Sequence, residues 1–491
     1  MRYDACVIGA GADGLAAAVT LAKAGLKTIV IERADRTGGR CTTREFHPGF
    51  RASPFCDELA PIPATLFWSL DLARRGAIFV PVSPALIGAD GAPVHGSHHA
   101  HALLAEATQF RRAALSHAAS VAASPPQRRS FFSSRPNPNP WPGEAWSERS
   151  LAELLAERVP DADEATCLMA AALCGRAADS SLTGSALHLL APGAGGSGVP
   201  MGGLGTLAAV LEAAAREAGT EIACGLEVTD IRRKHGRAVG AGLTDGNEIE
   251  AAAVISTLDL KRTFLSLFQW NDLPAPLVKQ AAGFRMGGGT ARVLVALEAA
   301  PRLPPELGRR LHFVSAGARE RAAALASCRM GTIPQAPPAA LRLASAADPR
   351  LAPIGAATLT VTLGSIPFRL FDGAWTNEKR NLLRDRALAA ADAVMPGAHA
   401  HVLACQVIAP PDFEEALGAS EGDLWGGELA PDQMFAMRPF ADDDFPPSPR
   451  SPIDGLYLAG PSSSAGPFGT CVSGAIAASA VISDFRTGRL R

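Results

Sequence analysis

The sequence predicts an α/β fold of two domains, the first of them assembled from separated segments of the chain. The length, 491 residues, exceeds what a single hydrophobic core usually serves. The chain opens with a short apolar strand, a glycine-rich turn, a helix and a second strand, which together form a βαβ unit. Its last forty residues return to a strand, a glycine-rich turn and a helix. A middle region of different pattern separates these two similar ends, so we expect one discontinuous domain.

The turn of the opening βαβ unit is the motif Gly9-Ala-Gly-Ala-Asp-Gly14. Gly9 permits a tight turn, Gly11 lets the backbone approach a pyrophosphate, and Gly14 lets the helix pack closely on the strand. Phosphate would lie at the positive helix N-terminus, next to Ala12. Glu32 ends the second strand eighteen residues after Gly14, where an acid accepts hydrogen bonds from a ribose diol. The unit therefore predicts a Rossmann-type dinucleotide site.

Hydrophobic periodicity predicts the remaining elements. Helices are expected in 150–174 (two of them), 207–218, 378–394 and 472–486, and strands at 226–232, 237–243, 248–256, 291–297, 357–364 and 456–459. The segment 124–147 is rich in Pro, Ser and Asn, which is typical of a surface loop or lid. We expect the dinucleotide-binding domain to comprise 1–70, 198–262 and 450–491. The substrate domain, an α+β unit of mixed sheet and helices with lid segments, would comprise 71–197 and 263–449.

Composition excludes several classes of protein. The 46 basic and 48 acidic residues give a net charge of −2, so a nucleic-acid partner is not expected. No apolar run approaches the roughly 20 residues that span a bilayer, and the chain begins without a recognisable export leader. The nine cysteines contain no Cys-x-x-Cys pair, which argues against a disulfide framework or a zinc site. We therefore expect a cytoplasmic protein.

A second glycine-rich segment, Arg36-Thr-Gly-Gly39-Arg40, follows soon after Glu32. Its glycines allow a second loop to pass close to the cofactor, and its arginine can face phosphate. The two motifs together resemble the flavoprotein superfamily of amine oxidases and phytoene desaturases, in which the dinucleotide is FAD. A second strand-turn-helix fingerprint for NAD(P) is lacking in the sequence, which disfavours a nicotinamide-linked reductase of the disulfide-reductase type.

The likeness narrows to the phytoene desaturase-related branch, and within it to the pyridine nucleotide-disulfide oxidoreductase domain-containing protein 2 family. The segments that carry it include 200–207, 225–231, 236–240, 253–257, 410–414, 427–433 and 455–460. By that resemblance Val228 holds the adenine through its backbone, while Gly460 and the turn before Val472 hold the ribityl and pyrimidine parts of the flavin. The full set of expected FAD contacts is Gly9, Gly11, Ala12, Gly14, Glu32, Arg33, Gly39, Arg40, Val228, Gly460, Gly469, Thr470 and Val472.

The chain departs from these relatives at three places. Phe50-Arg-Ala-Ser-Pro54 replaces the more usual Phe-Asp-x-Gly-like segment. Near its end the chain has Gly466-Pro-Phe-Gly-Thr-Cys-Val472 where relatives usually carry a Pro-Gly-Gly-Gly-Val-like run. It also has Gly426 where relatives often place a histidine. Any role of that histidine cannot be transferred to this chain.

Further polar residues are candidates for the site. Glu428 and Arg438 are the polar groups expected to face the substrate cavity, although a surface ion pair would explain each of them equally well. Cys41, Cys56 and Cys471 fall near the expected flavin, as a covalent tether or as small core residues. Four histidines, His95, His98, His99 and His101, cluster in a segment that we interpret as a solvated loop, and no metal site is expected.

The resulting hypothesis is an FAD-dependent oxidoreductase acting on a largely apolar, isoprenoid- or acyl-like substrate. Hydride transfer to flavin N5 would serve a desaturation, a saturation or an isomerisation, with oxygen or a quinone as the electron acceptor. One alternative is an amine or amino-acid oxidase, and another is a flavin-bearing interaction protein that has lost catalysis. Apolar loops also suggest peripheral contact with a membrane through an apolar patch.

Overall fold

The computed structural model describes residues 2–490 apart from 83, 88–92, 124–143, 192–196, 270, 304–310, 315–316, 435–436 and 439–447. Nearly all of the expected lid at 124–147 lies outside the described residues. Within the described ranges, every helix is too short or too polar to cross a bilayer.

The strands and helices alternate irregularly along the chain. The strands are β1 (Arg2–Ile8), β2 (Thr28–Glu32), β3 (Arg44–His47), β4 (Phe50–Ala52), β5 (Phe79–Val82), β6 (Pro84–Ile87), β7 (Pro93–Val94), β8 (Ser197–Pro200), β9 (Glu221–Cys224), β10 (Val228–Lys234), β11 (Arg237–Leu243), β12 (Glu248–Ser256), β13 (Ala291–Leu297), β14 (Leu311–Val314), β15 (Ala339–Leu343), β16 (Ala357–Leu363), β17 (Val402–Ile408) and β18 (Leu456–Leu458). The helices are α1 (Ala12–Lys23), α2 (Ala64–Ser69), α3 (His98–Ala123), α4 (Leu151–Arg158), α5 (Ala162–Leu173), α6 (Gly205–Glu217), α7 (Ala275–Gly283), α8 (Ala318–Arg329), α9 (Ala344–Ala347), α10 (Asn377–Val394), α11 (Pro410–Leu417) and α12 (Val472–Arg486).

The first large sheet joins the two ends of the chain with its middle. Its order is β10-β11-β12-β1-β2-β9, and β18 pairs with the second half of β12. The pairs β12–β1, β1–β2 and β2–β9 are parallel, whereas β10, β11 and β12 form an antiparallel meander. Cys6 of β1 lies opposite Ile29 on one side and Val254 on the other. The predicted α/β class, with a discontinuous Rossmann-type unit, is confirmed.

Both faces of this sheet are covered, which explains why its central strands are almost wholly apolar. Helices α1, α6 and α12 share one core with the sheet, through residues such as Leu15, Leu211 and Val481. On the other face a second core contains Phe264 and Leu277. The parallel strands of this sheet all end at the same edge, and the turns that follow them therefore lie close together. A ligand is expected at this C-terminal edge.

The second large sheet has the order β17-β13-β16-β15-β14-β6-β7 and is mixed, because β14 pairs parallel with β6 while most other pairs are antiparallel. Helix α10 covers one face through Leu383, Ala387 and Ala391, which recur every four residues. An α+β unit with a mixed sheet is therefore present. The exact limits of the two domains stay a prediction, because the sheets alone do not assign every connecting segment.

Three of the four clustered histidines lie at the start of a helix and not in the loop expected from the sequence, whereas His95 lies in an exposed loop before it. His98, His99 and His101 lie in the first turn of α3, whose N-terminus is capped by Ser97: its Oγ accepts a hydrogen bond of 3.2 Å from the Ala100 N–H. Among the described residues, no cluster of three His, Cys, Asp or Glu side chains is arranged to hold a metal ion.

Candidate functional site

A cavity begins at the C-terminal edge of the first sheet and runs toward the second. We call its first part the dinucleotide cradle. It is lined by Gly9, Gly11, Ala12, Gly14, Glu32, Arg33, Gly39, Arg40, Val228, Gly460, Gly469 and Thr470. The cradle therefore brings together, from four distant segments, all of the expected cofactor contacts except Val472.

The glycines of the cradle are required by close backbone contacts. Gly9 directly follows β1 and has a φ of +96°. A Cβ on Gly14 would lie 1.9 Å from the Gly9 carbonyl oxygen. A Cβ on Gly39 would lie 3.2 Å from the Gly11 Cα, so the two glycine loops abut. At Gly11 itself a Cβ would meet no atom within 4 Å, because it would project into the cavity. Open space in front of a helix N-terminus fits the pyrophosphate of a dinucleotide.

The carboxylate of Glu32 is held in place by the backbone. Its two oxygens accept hydrogen bonds from the N–H groups of Ala10 (2.7 Å) and Ala34 (2.9 Å). Each carboxylate oxygen retains a further lone pair, and Glu32 lines the cavity. The site can thus receive a ribose diol without rearrangement. Beside it, Arg33 donates a 2.6 Å hydrogen bond to the Glu415 carbonyl oxygen and lines the same part of the cradle.

The C-terminal segment completes the cradle. Gly460 follows β18 with φ of +81°, and its N–H donates a 2.8 Å hydrogen bond to Ser473 Oγ at the start of α12. A Cβ on Gly474 would lie 1.8 Å from the Asp13 carbonyl oxygen, so the first turns of α1 and α12 meet. Val472 is the first residue of α12 and its side chain packs in the core outside the cavity lining, so its contact with the cofactor stays a prediction.

Beyond the cradle the cavity widens into a space that we call the chamber. Its lining is largely apolar and includes Leu59, Ala60, Ala171, Cys174, Ala340, Leu424, Trp425, Pro461 and Pro467. Polar groups enter it from one side: Asp57, Glu58, Thr290, Arg292 and Thr362. The chamber collects residues from three strands of the second large sheet (Arg292, Ala340 and Thr362), from α5 and from loops.

A buried ion pair forms the polar side of the chamber. Arg292 binds Asp57 through two parallel hydrogen bonds of 2.6 and 2.7 Å, and both side chains are almost fully buried. The hydroxyl of Thr362 lies 3.0 Å from an Asp57 oxygen and also donates to it. Burial alone would raise the pKa of Asp57, but the charge and hydrogen bonds of Arg292 outweigh that effect and lower the pKa to about 2. Both side chains are therefore charged at neutral pH, and together they carry no net charge.

Trp425 forms the aromatic wall of the chamber and is fixed from behind. The Arg176 guanidinium carbon lies 3.8 Å from the centroid of its ring, and the indole N–H donates a 3.2 Å hydrogen bond to the Gly175 carbonyl oxygen. Burial lowers the pKa of Arg176 to about 10, so the group stays charged at neutral pH. This wall was not expected from the sequence, in which its local signal is a tryptophan next to Gly426.

Three cysteines line the cavity, Cys41, Cys56 and Cys174. Burial raises the pKa of all three thiols, to about 11 for Cys56 and to about 12 for Cys174. Cys56 Sγ donates to the Arg40 carbonyl oxygen over 3.5 Å. Cys471 is buried as the cap of α12 and lies outside the cavity lining. Neutral thiols favour packing, and a covalent flavin tether stays an untested prediction.

The two residues expected to face the substrate have other partners. Glu428 binds Arg285 in an ion pair of 2.5 Å in which both side chains are partly exposed to solvent. Arg438 is completely buried and donates to backbone carbonyl oxygens. Neither residue lines the cavity. Their catalytic roles stay untested predictions, and their contacts favour structural roles.

The structure also explains the glycine at position 426. Gly426 has φ of +74°, and a Cβ there would lie 2.5 Å from the Pro461 carbonyl carbon and 2.6 Å from the Ser462 nitrogen. A histidine side chain at this position would require the loop after β18 to move away. In this chain the two loops touch directly at the junction of cradle and chamber.

Comparison with known proteins agrees with this site. Residues 7–73 match the NAD(P)-binding Rossmann-like domain, and residues 139–344 match the flavin containing amine oxidoreductases. The predicted resemblance to flavin amine oxidoreductases is confirmed. FAD as the cofactor is confirmed by the same match, and the cradle fits it.

Individual relatives extend the likeness over most of the chain. The chain is 25% identical to pyridine nucleotide-disulfide oxidoreductase domain-containing protein 2 of Mus musculus, over 94% of this chain and 90% of that protein. A segment covering 10% of this chain and 8% of the relative is 49% identical to phytoene desaturase of Neurospora crassa. A structure of putrescine oxidase bound to putrescine superposes with a TM-score of 0.64 at 15% identity, covering 99% of each chain, which shows a shared fold.

Proposed function

We propose that this flavoprotein is an FAD-dependent oxidoreductase that acts on a largely apolar, isoprenoid- or acyl-like substrate in the chamber. When bound, FAD supplies a ring whose N5 atom accepts a hydride from a substrate C–H bond. The reaction would be a desaturation, its reverse, or an isomerisation. The electron acceptor would be oxygen or a quinone.

The observation that carries this proposal is the chamber itself, which opens directly from the cradle and is walled mainly by apolar side chains. Leu59, Ala171, Leu424 and Trp425 offer no hydrogen-bond partner for a polar substrate on their side of the chamber. Apolar walls select a ligand through buried area, at roughly 25 cal/mol per Å². They also exclude water from the reacting atoms.

The charges of the chamber support the same proposal because they are paired. Asp57 and Arg292 satisfy each other, so neither of these two side chains needs an ionic substrate as its partner. The pair can instead orient a single polar group, such as an acyl oxygen, at one side of an apolar molecule. Trp425 provides a flat surface against which an unsaturated chain can lie.

The test is anaerobic bleaching of the bound flavin by a panel of polyenes, acyl compounds and amines. We expect bleaching by an apolar member, and its loss in Ala171→Phe, which fills the chamber from α5 while leaving the cradle intact. Ala162→Phe, at the exposed start of the same helix, is the matched control and should bleach normally. Rapid bleaching by a small amine, with none by any apolar compound, would contradict the proposal.

A second candidate, an amine or amino-acid oxidase, is favoured by one observation: Asp57, Glu58 and Arg292 line the chamber. Against it, a tyrosine-based cage is absent, since Tyr3 and Tyr457 both lie in strands of the first sheet and bind Glu221 and Asp484 there. The same panel separates the two candidates. Failure of every compound to bleach the flavin would instead support an interaction protein without catalysis.

We further propose peripheral membrane contact as the route by which an apolar substrate arrives. Met330 and Phe371 support it, because they are 63% and 85% exposed and lie on touching segments, joined by a 2.8 Å hydrogen bond from Phe371 N–H to the Gly331 carbonyl oxygen. Phe371→Ser should reduce sedimentation with neutral phosphatidylcholine vesicles, whereas Asn377→Ser should not. Equal sedimentation of the wild type and the two variants would contradict this route.

A further inference from the structure

Arg438 is a fully buried cation without an ion-pair partner. Its side chain has 0% exposure, and none of the salt bridges within the described residues involves it. Burying a charge is costly unless every hydrogen-bonding atom is satisfied. A fold that retains such a group must therefore use its hydrogen bonds, its charge, or both.

All of the donors of Arg438 are used. Nε donates to the Ser463 carbonyl oxygen over 3.1 Å, and Nη1 donates to the Gln433 carbonyl oxygen over 3.1 Å and to Met434 Sδ over 3.6 Å. Nη2 donates to the carbonyl oxygens of Pro461, over 2.6 Å, and of Gly426. This accounts for the five N–H groups of a guanidinium. One side chain thus joins three separate backbone segments.

Two of these acceptors belong to the wall of the cavity. Gly426 and Pro461 both line it, at the junction of cradle and chamber. They also touch each other, and Ser462 Oγ donates a further 3.0 Å hydrogen bond to the Gly426 carbonyl oxygen. Arg438 therefore stands directly behind the loop that begins at Gly460, which is one of the two segments that the resemblance assigns to the ribityl and pyrimidine parts of the flavin.

The charge of Arg438 is present at neutral pH and is not cancelled by a bonded anion. Burial lowers its pKa, but only to about 10. The carboxylate that acts on it is Asp423, which makes no hydrogen bond to it and instead accepts from the N–H groups of Gly287 (3.1 Å), Trp425 (2.7 Å) and Gly427. Burial raises the pKa of Asp423, although these backbone hydrogen bonds act in the opposite direction.

We propose that Arg438 is a positioning residue that fixes the two loops behind the flavin and whose charge favours the reduced over the oxidised cofactor. The inference rests on the proposed FAD-dependent function. Uptake of two electrons and one proton converts neutral oxidised flavin into an anion, and a second proton would neutralise it. A fixed cation in a medium of low dielectric constant stabilises that anion.

The experiment measures the two-electron midpoint potential of the bound flavin by dye equilibration, and the FAD dissociation constant, in Arg438→Met and Arg438→Lys. Loss of the charge in the methionine variant should reduce the preference for reduced flavin at least tenfold, which lowers the potential by about 30 mV. Lysine keeps the charge but has three donors in place of five. The flavin potential of the Arg438→Lys variant should stay near that of the wild type, while its FAD binding weakens about tenfold.

Arg285→Met is the matched control. It also removes one positive charge, from the neighbouring ion pairs with Glu428 and Asp432, but that side chain is 48% exposed and solvent screens it. We expect its potential to change by less than a third of the Arg438→Met shift. Equal shifts in both methionine variants, or equal potentials in Arg438→Met and wild type, would overturn the inference.

A measurement on the wild type covers the case in which Arg438→Met does not fold. If the reduced flavin stays anionic, the potential falls by about 30 mV per pH unit between pH 6 and 8, because one proton accompanies two electrons. A slope near 59 mV throughout that range means two protons, and would overturn the inference. Protein that takes up no FAD would contradict the proposed function itself, and is recognised by its lack of colour.

Discussion

The cradle and the chamber are two parts of one cavity that are built in opposite ways. The cradle is made of backbone: glycines that allow loops to touch, helix N-termini, and one carboxylate held by main-chain N–H groups. The chamber is made of side chains, and its central contact joins Asp57 to Arg292 across 235 positions of sequence. A backbone site tolerates little variation and is shared among proteins of different activity, whereas a side-chain site is where specificity is set.

The largest expected effect is the loss of FAD binding in the cradle, with the chamber unchanged. Gly11→Val should abolish FAD binding without unfolding the protein, because its Cβ projects into open space where the pyrophosphate would lie. Absorbance near the flavin band after purification and reconstitution is the measurement. Gly283→Val, at the exposed end of α7, is the control and should stay yellow. Normal flavin content in Gly11→Val would place the cofactor elsewhere.

Breaking the chamber should instead cost stability. Asp57→Ala leaves Arg292 buried without its partner and should lower the free energy of unfolding by about 3–5 kcal/mol. Urea denaturation of the holoprotein measures it. Asp35→Ala removes the partner of Arg36 in an exposed pair and should cost far less, because solvent screens the two charges. Similar losses in the two variants would mean that the chamber pair is not buried in solution.

The same pair predicts a dependence of stability on pH. The folded pKa of Asp57, about 2, lies below the ordinary value of about 3.9. Well above pH 4, the depressed pKa of Asp57 therefore contributes about 2–3 kcal/mol to the free energy of unfolding. This contribution is lost as the pH falls through 2. The difference in unfolding free energy between wild type and Asp57→Asn should therefore shrink by about half of that amount by pH 3. A difference that is constant between pH 7 and 3 would argue against the depressed pKa.

The smallest expected effect is weaker FAD binding when the carboxylate of the cradle, Glu32, is changed. Glu32→Ala should weaken FAD binding by about 1–3 kcal/mol, since it removes a ribose partner and leaves two backbone N–H groups unpaired. Glu32→Gln keeps one acceptor oxygen and should lose less. Titration of apoprotein with FAD gives both dissociation constants. If the glutamine variant binds as weakly as the alanine variant, the charge and not the hydrogen bonding is what matters.

The comparison also explains which features could be predicted from sequence. Local signals predict the helices α1 and α12 beside the cradle, as well as β13 and α10 of the second sheet unit, to within a few residues. Helix α1 begins at Ala12, directly after Gly11 in an extended conformation. The burial of the Val472 side chain could not be predicted, because the turn of the chain that buries it has no local signature. Strand β9 and helix α3 were not expected, since a four-residue strand and an alanine-rich helix lack clear periodicity.

The chamber could not be predicted, for a physical reason. Asp57 lies in a loop, Arg292 in an apolar strand, and Trp425 in another loop, so that only the complete fold brings them together. A lone arginine within Ala291–Leu297 is the one signal that was available, because a charge in a buried strand needs a partner. Neither its partner nor its role could be derived from spacing.

The position of β18 and α12 at the far end of the chain has a consequence for biogenesis. The strands that flank the cradle are synthesised early, but Gly460, Gly469 and Thr470 emerge from the ribosome only after more than nine-tenths of the protein has been made. Until then β12 has an unpaired edge at Val254–Ser256, where Leu456–Leu458 will add. Nascent chains must therefore wait, with this edge exposed, for a non-local pairing that forms slowly. We therefore expect the cradle to be complete for its cofactor only after this pairing has formed.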